Sequence, residues 1–241
     1  MLSKKVLKDI QSLSLKKCRD ETGLFIAEGP KMALELVEII PQQVQQVYAL
    51  PKWVEKNSFL QNVKVETISE QELQKISHLQ TPNQVVVVLK KFKEEQPTIK
   101  EGFALYLDTI QDPGNLGTII RIADWFGIKF MVCSEGCADL YNPKVVQSSM
   151  ASIARVNICY DRTGDWLQKQ QIPLMATTLS GTSLHDFEAT SGIVIIGNES
   201  KGVREAFLQL ANHHISIPKK GKAESLNAAV ATGIILSHLV K

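Results

Sequence analysis

SIPKKGKAESLNAAVATGIILSHLVK, residues 216–241, is the stretch around which the rest of the chain is arranged. A short apolar strand over 214–218 runs into a loop of glycine and lysines. A long apolar helix then opens at Ser225-Leu226-Asn227 and continues through Ala228, Ala229, Val230, Ala231, Ile234, Ile235, Leu236 and Leu239. A helix apolar on nearly every face is expected to be buried, here against both its own domain and a second protein surface. Ser225 and Asn227 at its mouth have two readings. They cap the orphan N–H groups of the helix, or they belong to a site. Two earlier segments bear on the choice.

Composition sets the frame. The chain has 241 residues, 44% hydrophobic and 22% charged, enough for two modest domains or one large one. No apolar run reaches the roughly 20 residues that span a bilayer, and 1–10 (MLSKKVLKDI) shows no secretory h-region. A cytoplasmic protein is expected. Among Cys18, Cys133, Cys137 and Cys159 only the middle two are close, and no histidine completes a zinc set, so free thiols and no metal are expected; His213-His214 reads as a loop pair. Net charge is only +2, but Lys4, Lys5, Lys8, Lys16, Lys17 and Arg19 cluster at one end and Lys219, Lys220 and Lys222 in the loop before the last helix. Such clusters hold phosphates or simply form a solvated face, and for the N-terminal one the solvated face is the reading.

In chain order, helical spacing over 3–15 is followed by strands at 24–27, 44–50, 63–68 and 84–89, with helices at 30–39 and from the Ser69/Glu72 capping box to about 79, and a helical turn at 53–57. This is a small α/β domain of about 90 residues. The charged stretch KKFKEEQPTIKEG, 90–102, reads as a linker. Beyond it strands are expected at 103–108, 129–134, 154–160, 173–179, 192–198 and 214–218, and helices at 117–126, 143–153, 163–170, 203–211 and 225–240. That alternation implies a parallel sheet with helices on both faces and a ligand site at the strands' carboxyl ends. The domains are drawn at 1–95 and 96–241.

Three strand-to-loop junctions carry residues that folding alone does not demand. In 107–127 (LDTIQDPGNLGTIIRIADWFG), Asp112-Pro113-Gly114 reads as a turn, and Asn115 and Arg121 bracket a helix start. In 193–203 (IVIIGNESKGV), a buried strand ends in Gly197, then Glu199 and Gly202; Val203 replaces the lysine of a Walker A loop, and no G-x-G occurs anywhere. The third junction holds Gly221, Ser225 and Asn227.

Taken together and in order, these residues resemble the SpoU (TrmH) family of RNA 2′-O-ribose methyltransferases, of the SPOUT class. Asn115 and Arg121 match its first motif, Gly197, Glu199 and Gly202 its second, and Ile217, Pro218, Gly221, Ser225, Leu226 and Asn227 its third. The resemblance covers roughly 103–241, and LFIAEG (24–29) looks like part of the substrate-binding domain often fused ahead of it. Lys219 and Ala228-Ala229 depart from the family's usual residues.

The resemblance implies a C-terminal trefoil knot, against the general rule, and S-adenosylmethionine bound at Gly197, Ile217, Leu226, Gly202 and Asn227, with Thr177 or Thr178. It implies a homodimer through the last helix and the first motif's helix. Arg121, Asn115, Glu199, Ser225 and Asn227 are the implied catalytic set. The family role often given to Arg121 is that of a base, but a guanidinium with a pKa above about 12 is better suited to stabilise a developing oxyanion. The acceptor is expected in ribosomal RNA ahead of tRNA. The competing readings are a tRNA ribose methyltransferase and a catalytically inactive RNA-binding relative.

Overall fold

The computed structural model describes residues 1–57 and 63–240. It divides into two compact units, Met1–Lys93 with Asp139–Ala154, and Glu94–Ala138 with Arg155–Lys241.

The first unit begins with helices α1 (Lys4–Ser12) and α2 (Lys16–Thr22). The expected single helix over 3–15 stops at Ser12, and α2 was not foreseen because its sequence, KKCRDET, shows no apolar stripe. Its one buried residue is Arg19, which corrects the solvated-face reading there. The Arg19 guanidinium donates to the carbonyls of Leu13 and Ser14 and pairs with Asp139 at 2.5 Å. Then follow β1 (Leu24–Glu28), α3 (Pro30–Ile39), β2 (Val44–Ala49), α4 (Pro51–Lys56), β3 (Val65–Thr67), α5 (Glu70–Ile76) and β4 (Val85–Lys90). The sheet order is β1-β4-β2-β3, with β4 antiparallel to both neighbours. β4 is central, so its valines are buried on both faces. The capping box at Ser69 and Glu72 forms as expected.

The second unit contains β5 (Phe103–Leu107), α6 (Pro113–Trp125), β6 (Phe130–Ser134), β7 (Asn157–Asp161), β8 (Leu174–Ser183), β9 (Gly192–Ile196), α8 (Glu205–Leu210), β10 (His213–Ser216) and α9 (Ala228–Leu239). Helix α7 (Pro143–Ser149) lies between β6 and β7 in sequence, is capped by Asn142, and packs in the first unit against β1. The six strands form one sheet in the order β10-β8-β9-β5-β6-β7, every pairing parallel. Its core gathers Tyr106, Val132, Trp166, Ile193, Ile195 and Phe207, each such side chain contributing roughly 1.5–3 kcal/mol by leaving water.

Four expectations change here. α6 starts at Pro113, not 117: Asp112 caps it and the proline occupies its first position, so Asp-Pro-Gly is the first turn of the helix. The helix expected over 163–170 is only a 3₁₀ turn, Leu167–Lys169. The His213-His214 pair begins β10 instead of lying in a loop. The stretch read as a linker has no regular element over 91–100, yet Ile99 is buried and the Pro97 carbonyl accepts the Trp166 indole N–H at 2.9 Å.

α9 begins three residues later than the sequence suggests, at Ala228. One side of it (Ala229, Thr232, Leu236, Leu239) is buried, and it packs against α6; within the chain Val230 (52% exposed) and Ile234 (38%) face outward. Lys241 lies outside the described residues.

Candidate active site

β5 ends its apolar run in a charged residue, and that residue is fully buried. A buried carboxylate is tolerated only when its oxygens are satisfied. Asp108 Oδ1 accepts from Arg204 Nε at 2.7 Å and from the Thr109 hydroxyl at 2.8 Å, and Oδ2 accepts the Arg204 backbone N–H at 2.8 Å. Thr109 turns the chain out of the strand with φ +63°, a conformation that is strained for a β-branched residue. It is pinned on both sides: its N–H donates to Ser134 Oγ (2.9 Å) and its carbonyl accepts Asn198 Nδ2 (2.8 Å). α6 then starts with the Asp112 carboxylate accepting the Asn115 N–H at 2.8 Å, which sets Asn115 in its first turn.

β9 is buried along its whole length and delivers Gly197. A Cβ at that position would lie 2.3 Å from Gly202 C and Val203 N, so a side chain there would force the loop open. Reciprocal backbone bonds between Asn198 and Gly202 (3.0 and 2.9 Å) close the loop, with Gly202 at φ +70°, and Asn198 Oδ1 accepts the Ser200 and Lys201 N–H groups. Glu199 stands at the tip of this closed turn.

The third loop differs in kind. No backbone group from 217 to 226 has a hydrogen-bond partner among the described residues. The loop is anchored at its end, where the Ser225 hydroxyl reaches the Glu199 carbonyl at 3.5 Å and Asn227 caps α9.

The three loops meet through side chains in a directional chain. Asn227 Oδ1 is committed to the helix, accepting the N–H groups of Ala229 (3.0 Å) and Val230 (3.3 Å). Its Nδ2 therefore donates, to Asn115 Oδ1 at 2.8 Å, and Asn115 Nδ2 donates onward to Glu199 Oε1 at 2.5 Å. Every amide orientation follows from the first commitment, and a carboxylate must terminate the series.

Asn115, Glu199, Ser225 and Asn227 are thus brought together. Arg121 is not part of the network. Six residues on, it lies about 240° around α6 from Asn115, exposed, with no hydrogen bond or ion pair among the described residues. Of the expected cofactor residues, Gly197 and Gly202 shape the second loop. Ile217 and Leu226 (46% exposed) stand at the two ends of the third, and the Thr177 hydroxyl donates to the Ile195 carbonyl at 2.9 Å. Beside Asn115 and Asn227 runs an open groove of about 380 Å³ between α6 and α9, floored by Thr118, Ile122, Val230 and Gly233. Behind the first loop Cys137 Sγ donates to the Leu107 carbonyl and accepts the Ile110 N–H. The Cys133 thiol, hydrogen-bonded to Cys137 and fully buried, is held well above the ordinary thiol range by that bond first and by burial second; both cysteines are free.

Sequence reasoning missed Asp108, Thr109, Asn198 and Arg204. A signal for Asp108 was present, since an acid closing the apolar run FALYL demands a buried partner. The partner, 96 residues away, left none.

Residues 102–237 match the SpoU rRNA Methylase family, and residues 4–87 match the MRM3-like substrate binding domain. The chain is 30% identical over 238 residues to the 23S rRNA (guanosine(2553)-2′-O)-methyltransferase RlmP of Bacillus subtilis, covering 97% of this chain and 95% of the relative. Its fold is similar to that of a TrmH-family protein from Porphyromonas gingivalis (33% identity, TM-score 0.88, 99% and 98% of the two chains). It is also similar to the SpoU methyltransferase AviRb from Streptomyces viridochromogenes in complex with AdoMet (26% identity, TM-score 0.86, 99% and 97%).

Proposed function

The chain belongs to the SpoU rRNA methylase family, and from that membership we propose that it methylates a ribose 2′-hydroxyl of ribosomal RNA with S-adenosylmethionine as donor. The observation that carries the reading is the hydrogen-bonded series Asn227–Asn115–Glu199, which ties the three motif loops into one polar site.

The residues present fit the cofactor. The unpaired backbone of 217–226 offers donors and acceptors to a polar ligand, exposed Leu226 offers apolar cover, and the second loop is held in shape by a glycine that no larger residue replaces. Gly197, Gly202, Ile217, Leu226, Asn227 and Thr177 would hold it. When bound it supplies an electrophilic methyl group, so the protein's own tasks are alignment and charge. Asn115 and Asn227, fixed by Glu199, orient the acceptor; Ser225 braces the third loop against the second. Arg121, exposed and without a partner among the described residues, is given by the family resemblance alone the task of stabilising charge that develops on the ribose oxygen, its guanidinium staying protonated throughout.

Residues 1–95 act as the RNA substrate-binding domain and 96–241 as the methyltransferase domain. The functional species is a homodimer in which a second copy covers the outward face of α9, where Val230 and Ile234 are exposed beside the α6–α9 groove. A trefoil knot at the C-terminus goes with the family resemblance, and β10, which leads into it, pairs irregularly with β8. His214 pairs with Ala176 but Ile215 with Thr182, so the register shifts there and 177–181, still within β8, have no pairing partner on β10. A Cβ on Gly181 would meet the His214 backbone at 2.5 Å. No helix among the described residues is long and apolar enough to cross a membrane, and the proposed location is the cytoplasm.

The test is methyl transfer from labelled S-adenosylmethionine to unmodified 23S rRNA and to tRNA transcripts. Label in 23S rRNA is expected; label confined to tRNA, or none in either, overturns the reading.

A further inference from the structure

Arg204 is held along one edge and open along the other. It follows the second motif loop by two residues. Its backbone N–H and Nε both donate to Asp108, and its guanidinium lies 4.5 Å from the centroid of the Phe207 ring. Asp108 is fully buried, whereas the Arg204 side chain is 56% exposed. An arginine–carboxylate pair that serves structure alone is commonly fork to fork, with both ends of the guanidinium used. Here the second carboxylate oxygen is spent on the backbone N–H, and Nη1 and Nη2 have no partner among the described residues. The Nε hydrogen bond and the Phe207 ring therefore hold the guanidinium, the backbone bond fixes the carboxylate that receives it, and the terminal donors are left open on a half-exposed side chain. Lys201, three residues earlier in the chain, is exposed as well.

We propose that the open edge of Arg204 binds a phosphodiester of the substrate RNA next to the acceptor nucleotide, with Asp108 as the residue that positions it. The inference rests on the RNA methyltransferase reading and adds a contact to it. A planar fork held in place loses little freedom on meeting two phosphate oxygens, which is what separates it from the mobile lysines of the third loop.

The test uses the full chain, with Arg204→Gln and Arg204→Lys, and titrates a fluorescein-labelled unmodified 23S rRNA transcript at several salt concentrations. Arg204→Gln is expected to weaken RNA binding about tenfold. It should also flatten the slope of log K against log[salt] by about 0.7–0.9, one phosphate contact. S-adenosylmethionine affinity, measured by calorimetry, should be unchanged. Arg204→Lys, which keeps a cation beside Asp108, restores the slope but only part of the affinity. Unchanged RNA affinity and slope in Arg204→Gln overturn the proposal. So does full RNA affinity in Arg204→Lys, which also decides the matter if Arg204→Gln melts far below the wild type. Weakened cofactor binding with RNA binding intact overturns it as well, and assigns the fork to the cofactor's carboxylate instead. A wild type that binds RNA through Arg204 yet transfers no methyl group sinks the methyltransferase reading and leaves this contact standing.

Discussion

Replacing Asn227 by aspartate separates the two jobs that this side chain performs. Aspartate is as good a helix cap as asparagine, and its charge is favourable at the start of α9, so the bonds from the Ala229 and Val230 N–H groups survive. What is lost is the donor. In Asn227→Asp an oxygen faces Asn115 Oδ1 at a distance where the wild type has a 2.8 Å hydrogen bond. Asn115 cannot turn its amide over to compensate, because its Nδ2 would then leave Glu199, and two oxygens would meet where a 2.5 Å bond stood. Leaving one partly buried acceptor unpaired costs about 1–3 kcal/mol. Asn227 is exposed, so the lower part of that range applies, about 1–2 kcal/mol or five- to thirtyfold in kcat/KM. The assay pairs steady-state methylation with thermal unfolding. The expected result is a large loss of kcat/KM with little change in Tm, while Asn227→Ala loses both. Wild-type kcat/KM in Asn227→Asp would refute the directional chain.

Three other outcomes are expected. Gly197→Ala pushes the Gly202–Val203 backbone away from contacts of 2.3 Å; it should lower stability by about 1–3 kcal/mol and abolish measurable cofactor binding by calorimetry, and unaltered binding would show that the loop relaxes freely. Ile234→Asp, on the outward face of α9, should leave the fold intact by circular dichroism and shift sedimentation from dimer to monomer; a variant that still sediments as a dimer would place the interface elsewhere. The Glu72 carboxylate accepts from the Ser69 backbone and hydroxyl and from the Leu2 N–H, and these bonds, the Ser69 backbone one foremost, lower its pKa to about 2. The folded value lies below the unfolded one, so its stabilisation is present above about pH 4–5 and is lost as pH falls toward 2. Glu72→Gln should flatten the acid limb of the urea midpoint against pH over that window, and an unchanged limb would contradict the assignment.

Much of this was written locally. Strands buried on both faces, antiparallel β4 and parallel β9 alike, read as unbroken apolar runs such as VVVVL and GIVII, and each was foreseen within a few residues. Local signals also misled, since Asp112-Pro113-Gly114 has the composition of a turn but acts as cap and first turn of α6. Long-range facts were invisible. Arg19 looks like one more surface cation until Asp139, 120 residues later, is placed against it. The sequence also gives no hint that residues 139–154 pack with the first unit. At the candidate site, the residue types in the three motifs singled out Asn115, Glu199, Ser225 and Asn227, whose side chains the fold brings together. The polarity of their hydrogen bonds and the Asp108–Arg204 pair depend on which atoms face one another, and spacing carries no such information.

The central claim is that the acceptor is a ribose oxygen, and one measurement addresses it directly. Unmodified 23S rRNA is methylated by the purified protein with labelled S-adenosylmethionine and then hydrolysed in alkali, which cleaves only next to a free 2′-hydroxyl. The account predicts that the label emerges in an alkali-resistant dinucleotide, and that an RNA carrying a single 2′-deoxy substitution at that position accepts none. Label recovered in mononucleotides, or transferred undiminished to the 2′-deoxy RNA, would place the methyl group on a base and contradict the account.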